Sequence, residues 1–180
     1  MIELANKPAV AWSVAALERF VDEIIFVVRK DQKDIMNYFT ADNCTFVYQD
    51  EQRGTAHALA ECKGAVEDRF VLMNADEVIG SRDIQSFCRH KGLFIGAHRS
   101  ETPEKFGVLQ VAGGHVVDIT EKPEKPAGSL VNCGIYMLDA SVFDAVEKTS
   151  LSQRNEYELT ESLKILMKEK DMRPYEIKQW

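Results

Sequence analysis

No apolar run in the 180 residues approaches the ~20 that a membrane-spanning helix needs, so a membrane protein is not expected. The opening residues, MIELANKPAVAW, have no basic stretch ahead of an apolar core, so no export signal is expected either. Cysteine is scarce. Cys44, Cys62, Cys88 and Cys133 lie far apart, with no C-x-x-C pair and no zinc-binding pattern. They read as reduced thiols of a cytoplasmic protein. Positive charge is in deficit, 22 Lys and Arg against 29 Asp and Glu, for a net charge of −7. A broad nucleic-acid-binding surface is therefore not expected, and any phosphate would need a local pocket of Lys, Arg or metal. No G-x-G-x-x-G follows a first strand, which argues against a dinucleotide-binding enzyme. Internal repeats, low-complexity tracts and long linkers are absent as well.

What is there is ordinary globular composition, 45% hydrophobic and 28% charged, long enough for one domain over residues 1–180. Helical and strand patterns alternate. ANKPAVAWSVAALERF reads as a helix, with Asn6 as its cap and Pro8 in its first turn. DEIIFVV and FVLMN are continuous apolar runs, as expected of strands covered on both faces. CTFVY and LFIGAH add two more strands, and Gly54 to Lys63 is a helix between them. This order predicts an α/β fold with helices on both sides of a sheet. The rhythm then changes. FGVLQVAGGHVVDITEKP reads as a hairpin turning at Gly113-Gly114. VNCGIYML is another strand, EYELTESLKILMKEK an amphipathic helix and MRPYEIKQW a last strand. The expected sheet is mixed and mostly parallel, with an antiparallel excursion in its second half. The chain also starts almost directly in a helix, which suggests a strand missing upstream.

Ligands of open α/β sheets bind beyond the carboxyl ends of the strands, and three segments sit there. QRGT, Gln52 to Thr55, joins a strand to a helix start, where free N–H groups and Gly54 permit close approach of a ligand. Asp76 directly follows an apolar strand and can hold Mg²⁺ through one oxygen. Glu121, Lys122 and Pro123 end another strand, offering an acceptor for hydroxyls and a point charge for phosphate. Each alone also fits a bland role: a capped turn, an N-cap, a solvated corner.

In this order, LANKP, VDEIIFVV, QRGTAHAL, FVLMNADEVI, FGVL, ITEKP, VNCGIYML and NEYELTESL resemble the sugar-phosphate nucleotidyltransferases, or NDP-sugar pyrophosphorylases. GTAHAL is most similar to the uridylyl- and thymidylyltransferase members. The resemblance implies a three-layer Rossmann-like nucleotide-diphospho-sugar transferase fold. It implies transfer of a nucleotidyl group from UTP or dTTP to a sugar 1-phosphate, with Mg²⁺ as cofactor and pyrophosphate released. Gln52, Gly54 and Thr55 would hold the nucleotide. Asp76 would bind the metal. Gly107, Glu121, Lys122 and Asn132 would hold the sugar phosphate, with Asp76 and Lys122 catalytic. Glu156 and Thr160, matching E-x-x-x-T, and His57 read as structural. A homo-oligomer is compatible with the family. A pyrophosphorylase-like binding or regulatory subunit without chemistry is the competing reading.

The resemblance also has gaps. The family opens with a strand and the loop G-G-x-G-T-R-L, then P-K, and later carries W-x-D-x-G-T. Neither loop nor metal-binding Asp is matched here, although Trp180 fits the Trp. The expectation is a domain incomplete at both ends, lacking its first strand and inactive as this polypeptide alone.

Overall fold

The computed structural model describes residues 3–66, 68–152 and 154–180. Strand β1 (Glu3–Leu4) pairs antiparallel with β2 (Lys7–Pro8). Ala5 and Asn6 turn between them at φ of 50° and 64°. Two successive left-handed residues make a tight hairpin turn, and Asn tolerates that conformation better than most side chains. Asn6 is thus a turn residue rather than the expected helix cap. Helix α1 (Ala9–Leu17) starts directly after Pro8.

Next come β3 (Ile24–Val28), α2 (Lys33–Tyr38), β4 (Cys44–Tyr48), α3 (Thr55–Ala60), β5 (Phe70–Met73), α4 (Ser81–Cys88) and β6 (Leu93–Arg99). The hairpin β7 (Gly107–Ala112) and β8 (His115–Glu121) turns at Gly113-Gly114, as its sequence predicts. Strand β9 (Leu130–Leu138), α5 (Val142–Glu147), α6 (Leu159–Leu166) and β10 (Met172–Glu176) complete the fold.

Six strands form one mixed sheet around β9. One edge of β9 pairs antiparallel with β6, which pairs parallel with β10. The other edge is shared, Val131 with β7 and Ile135 to Leu138 with β5, both antiparallel. Counted by direction, β5, β6, β7 and β10 run together, and only β8 and β9 run against them. The sheet is mostly parallel in that sense, yet most of its ladders are antiparallel because β9 lies at the centre.

The correction to a single continuous sheet is β3 and β4. They pair parallel with each other and, among the described residues, with no third strand. Helix α1 packs against β3, and at its middle the Ser13 hydroxyl donates to the Glu77 carbonyl just past the end of β5. Between β3 and β5 lies an open cleft.

Helices α3, α5 and α6 cover one face of the large sheet, burying Leu59, Leu138 and Leu163. On the other face Ile84 and Phe87 of α4 pack with Ile135 and Ile177. A small third cluster, Phe26, Val28 and Phe39, serves β3 and β4. All four cysteines are free, two of them buried. No described helix is long and apolar enough to cross a membrane.

Candidate active site

The site is organised by an irregularity in β9. From Asn132 to Tyr136 this strand spends four steps where β6 spends two, from Ala97 to Ile95. Such bulges recur beside functional sites because they re-aim the chain. Gly134 sits in the bulge at φ 67°. A Cβ there would lie 2.6 Å from Asn74 Nδ2 and 2.9 Å from Glu77 Cγ, so only glycine fits. The Asn74 amide donates to the Gly134 carbonyl at 2.9 Å. The bulge therefore pins the turn after β5, and that turn holds Asp76 out at the surface.

Asn132 locks the bulge from inside. Its Oδ1 accepts from Gly134 N–H at 2.9 Å, and its Nδ2 donates to the Tyr136 hydroxyl at 2.6 Å. Tyr136 is buried, and burial raises its pKa well above the ordinary phenol value, so it stays a neutral partner. Asn132 thus faces the pocket with its amide already oriented.

Gly107, Glu121 and Asn132 converge. A Cβ on Gly107 would meet Glu121 Oε2 at 3.0 Å and Asn132 Cβ at 3.6 Å. Glycine keeps this small concavity open. Burial, then the nearby Glu158 carboxylate, pushes the Glu121 pKa up, against the pull of Lys122 and Arg154. Glu121 is thus a partly desolvated acceptor, suited to ligand hydroxyls. Lys122 follows it, exposed, at φ 42°. Its N–H donates to the Phe106 carbonyl at 3.0 Å, which holds this uncommon backbone in place.

The loop from Gln52 to Thr55 behaves differently from its sequence reading. Gly54, at φ 116°, is required by the protein itself: a Cβ would sit 2.4 Å from the Tyr157 carbonyl oxygen. Tyr157 N–H donates to Arg53 O at 2.8 Å, and Ala56 N–H donates to Tyr157 O at 2.9 Å. The Thr55 hydroxyl accepts from Leu159 N–H at 2.9 Å. The Ala56 N–H at the α3 start, expected to be free for a ligand, is therefore spent within the fold. Gln52 remains exposed, with no side-chain hydrogen bond among the described residues.

Several participants carried no legible signal. Buried Gln49 contacts His57 Nδ1 at 2.8 Å and donates to Gly54 O at 3.3 Å, steadying the loop. His57 packs over Tyr157, in keeping with its structural reading. Buried Glu158 accepts from the Ser152 hydroxyl at 2.8 Å and lies beside Arg154. Glu77 accepts from the Trp180 indole, and burial raises its pKa. Glu156 is half-buried, and the Thr160 hydroxyl is buried with no hydrogen-bond partner among the described residues.

No cluster of three or more His, Cys, Asp or Glu capable of holding a metal occurs among the described residues. Mg²⁺ does not require one. It is commonly held by one or two carboxylates together with substrate phosphates, and the exposed Asp76 carboxylate fits that donor set.

A family model described as nucleotidyl transferase matches residues 2–180. The bifunctional protein GlmU of Methanocaldococcus jannaschii is 34% identical over 175 residues, covering 96% of this chain and 42% of that protein. The chain thus spans less than half the length of that relative. The UTP–glucose-1-phosphate uridylyltransferase AglF of Haloferax volcanii is 27% identical, covering 93% of this chain and 74% of its own. A Bacillus anthracis structure, described as a glucose-1-phosphate thymidylyltransferase in complex with sucrose, superposes with a TM-score of 0.86. It is 25% identical and covers 99% of this chain and 78% of its own.

Proposed function

The chain belongs to the nucleotidyl transferase family, and from that premise we propose that it serves transfer of a nucleotidyl group from UTP or dTTP to a sugar 1-phosphate. The observation that carries the reading is the concavity of Gly107, Glu121 and Asn132, with Lys122 at its rim and the Asp76 turn pinned to the same bulged strand. Open space over a glycine, a desolvated carboxylate and a fixed amide suit a polyhydroxylated ring. A lysine at the rim suits that ring's phosphate.

In the proposed reaction a phosphate oxygen of the sugar 1-phosphate attacks the α-phosphorus. The new P–O bond forms as the bond to the β-phosphate oxygen breaks, and pyrophosphate leaves. The protein's part is positioning and charge neutralisation. Lys122 holds the attacking phosphate, and Glu121 and Asn132 orient the sugar. Gln52, exposed on the loop stapled to Tyr157, meets the pyrimidine edge. Asp76 would hold Mg²⁺, which neutralises phosphate charge when bound.

AglF's name specifies UTP and the B. anthracis protein's specifies thymidylyl transfer, which supports a pyrimidine nucleotide. The test is pyrophosphate release by the full-length protein, with UTP, dTTP, ATP and GTP crossed against hexose 1-phosphates. Release confined to UTP or dTTP with a hexose 1-phosphate is expected. Release only with a purine nucleotide, or none with any sugar phosphate, would overturn the proposal.

A further inference from the structure

A groove outside the candidate site lies between strand β8 and helix α6 and encloses about 300 Å³. That is the lower limit for a small-molecule pocket, and such pockets are mostly apolar. Here four of the seven lining residues are charged. The α6 part of the lining follows one face. Glu161, Lys164, Ile165 and Lys168 are spaced i, i+3, i+4, i+7. The last turn continues past Leu166, because Met167 N–H donates to the Leu163 carbonyl at 2.8 Å. The buried positions of this helix are others, Leu159, Thr160, Ser162, Leu163 and Leu166. The stripe therefore flanks the core and does not belong to it.

Strand β8 ends its sheet, and an open edge invites another strand. A bulge blunts it. Gln110 pairs with Asp118 and Val111 with Val116, so Val117 has no residue opposite. Val117 is 56% exposed, the highest value of any large hydrophobic side chain among the described residues. Asp118 Oδ1 lies 3.9 Å from Lys164 Nζ, which sets the bulge beside the middle of the α6 stripe. A partner meets such an edge through side chains, not by strand addition.

Charge identifies the partner. Asp118 and Glu161 balance Lys164 and Lys168 in a chain of net charge −7. Two copies repel on average and approach best where they are locally neutral. A two-fold interface sets a patch against itself, so the patch must be self-complementary. This stripe is. Glu161 and Lys168 lie roughly 10 Å apart along the helix, equidistant from the point between Lys164 and Ile165. A two-fold axis through that point makes two α6 helices antiparallel. Glu161 of each copy then faces Lys168 of the other, with Ile165 and Val117 near the axis. Within one copy Lys168 has no acidic partner among the described residues. Glu161 there pairs with Lys164 at 2.9 Å, an exposed pair that contributes little.

We propose that this face of α6 and β8 docks a second copy of the chain, with the α6 helices antiparallel about a two-fold axis. The face is small, so the dimer is a weak one, dissociating at ~10–100 µM. The inference goes beyond the transfer reaction and does not rest on it.

Sedimentation velocity of the full-length protein over roughly 2–200 µM should show a reversible doubling of mass. Lys168→Glu sets like charges against each other at both ends and should weaken the doubling at least about tenfold. Glu161→Lys should do the same. An equimolar mixture of these two variants should recover the parent's association, because both ends again join opposite charges. Val117→Lys should abolish the doubling. The unfolding midpoint of each variant should match the parent's, since all three side chains reach solvent. Mass that does not double in this range overturns the proposal. Doubling that survives any of the three substitutions places the contact elsewhere and overturns it too. A mixture that associates no better than either variant alone overturns the antiparallel two-fold.

Discussion

Strands β3 and β9 are similarly apolar, yet their packing is opposite. In β9 the residues from Cys133 to Leu138 are all buried, several of them completely. In β3 only Phe26 and Val28 are buried, at 9% and 4% exposure, and Ile24, Ile25 and Val27 are half-open. Composition does not separate the two. Neighbours do: β9 has strands on both edges, and β3 has one strand and a cleft. The contrast maps onto the proposed division of labour. The sugar-phosphate residues belong to the firmly packed part, around β7, β8 and β9. The nucleotide residues follow β4, in the lightly packed part.

The largest expected effect tests this asymmetry directly. Leu138→Ala, at a fully buried site, should cost about 2–5 kcal/mol in urea unfolding. Val27→Ala in β3 should cost no more than about 1.5 kcal/mol. Equal costs would erase the distinction between the two regions. Asp76 lies on the seam between them. In the full-length protein Asp76→Asn should lower turnover on the order of 10²-fold or more, with the unfolding midpoint unchanged because the residue is exposed. Near-normal Mg²⁺-dependent turnover would remove Asp76 from the site.

Gly54→Ala should destabilise by about 1–3 kcal/mol or more, because the methyl meets the Tyr157 backbone. A neutral result would show that the loop is free to move away from α6. Lys122→Ala should raise KM for the sugar phosphate on the order of tenfold, as loss of one charge-assisted bond implies. Gln52→Ala should raise KM for the nucleotide instead. Equal effects of both variants on both substrates would dissolve the division of labour. The smallest effect is a pH slope. Burial and Glu158 raise the pKa of Glu121 above its ordinary 4.5. Across the interval between the unfolded and folded values the native state binds more protons, so stability falls as pH rises. Glu121→Gln should therefore melt higher than the parent at pH 7, with the gain fading as pH falls through the folded value towards 4.5 and gone below it. A gain that is constant with pH would place Glu121 in a solvated setting.

Much of the fold was legible because periodicity and punctuation are local. FVLMN and VNCGIYML lie where strands were expected, Gly113-Gly114 turns its hairpin, and the α6 pattern is where its leucines put it. What was not legible depends on partners distant in sequence. Nothing in IIFVV reports whether a second strand lies beside it. Gly54 reads as room for a ligand until Tyr157, a hundred residues later, is seen to occupy that room. The bulge at Gly134 shows only when β9 is counted against β6. The site residues Gln52, Asp76, Glu121 and Lys122 stood out because polar groups follow apolar strands. Gln49, Glu77 and Glu158 did not, since nothing about a lone Gln or Glu marks it as buried.

The staple between the Gln52–Thr55 loop and residues 157–159 has a consequence for how this sequence can drift. Two of its three links, Tyr157 N–H to Arg53 O and Ala56 N–H to Tyr157 O, run wholly through main-chain atoms. Such links do not depend on side-chain identity. Position 53, whose side chain is exposed, is therefore free to vary without breaking these two links, whereas Tyr157 is held by its packing on His57 as well. Position 54 admits only glycine, and position 55 only a residue whose hydroxyl reaches the Leu159 amide, Ser or Thr. Random mutagenesis with selection for folded protein should return an island of intolerance from position 54 to the buried Ala56, beside a permissive position 53. The island would be set by the fold, even in a chain with no catalytic work to do.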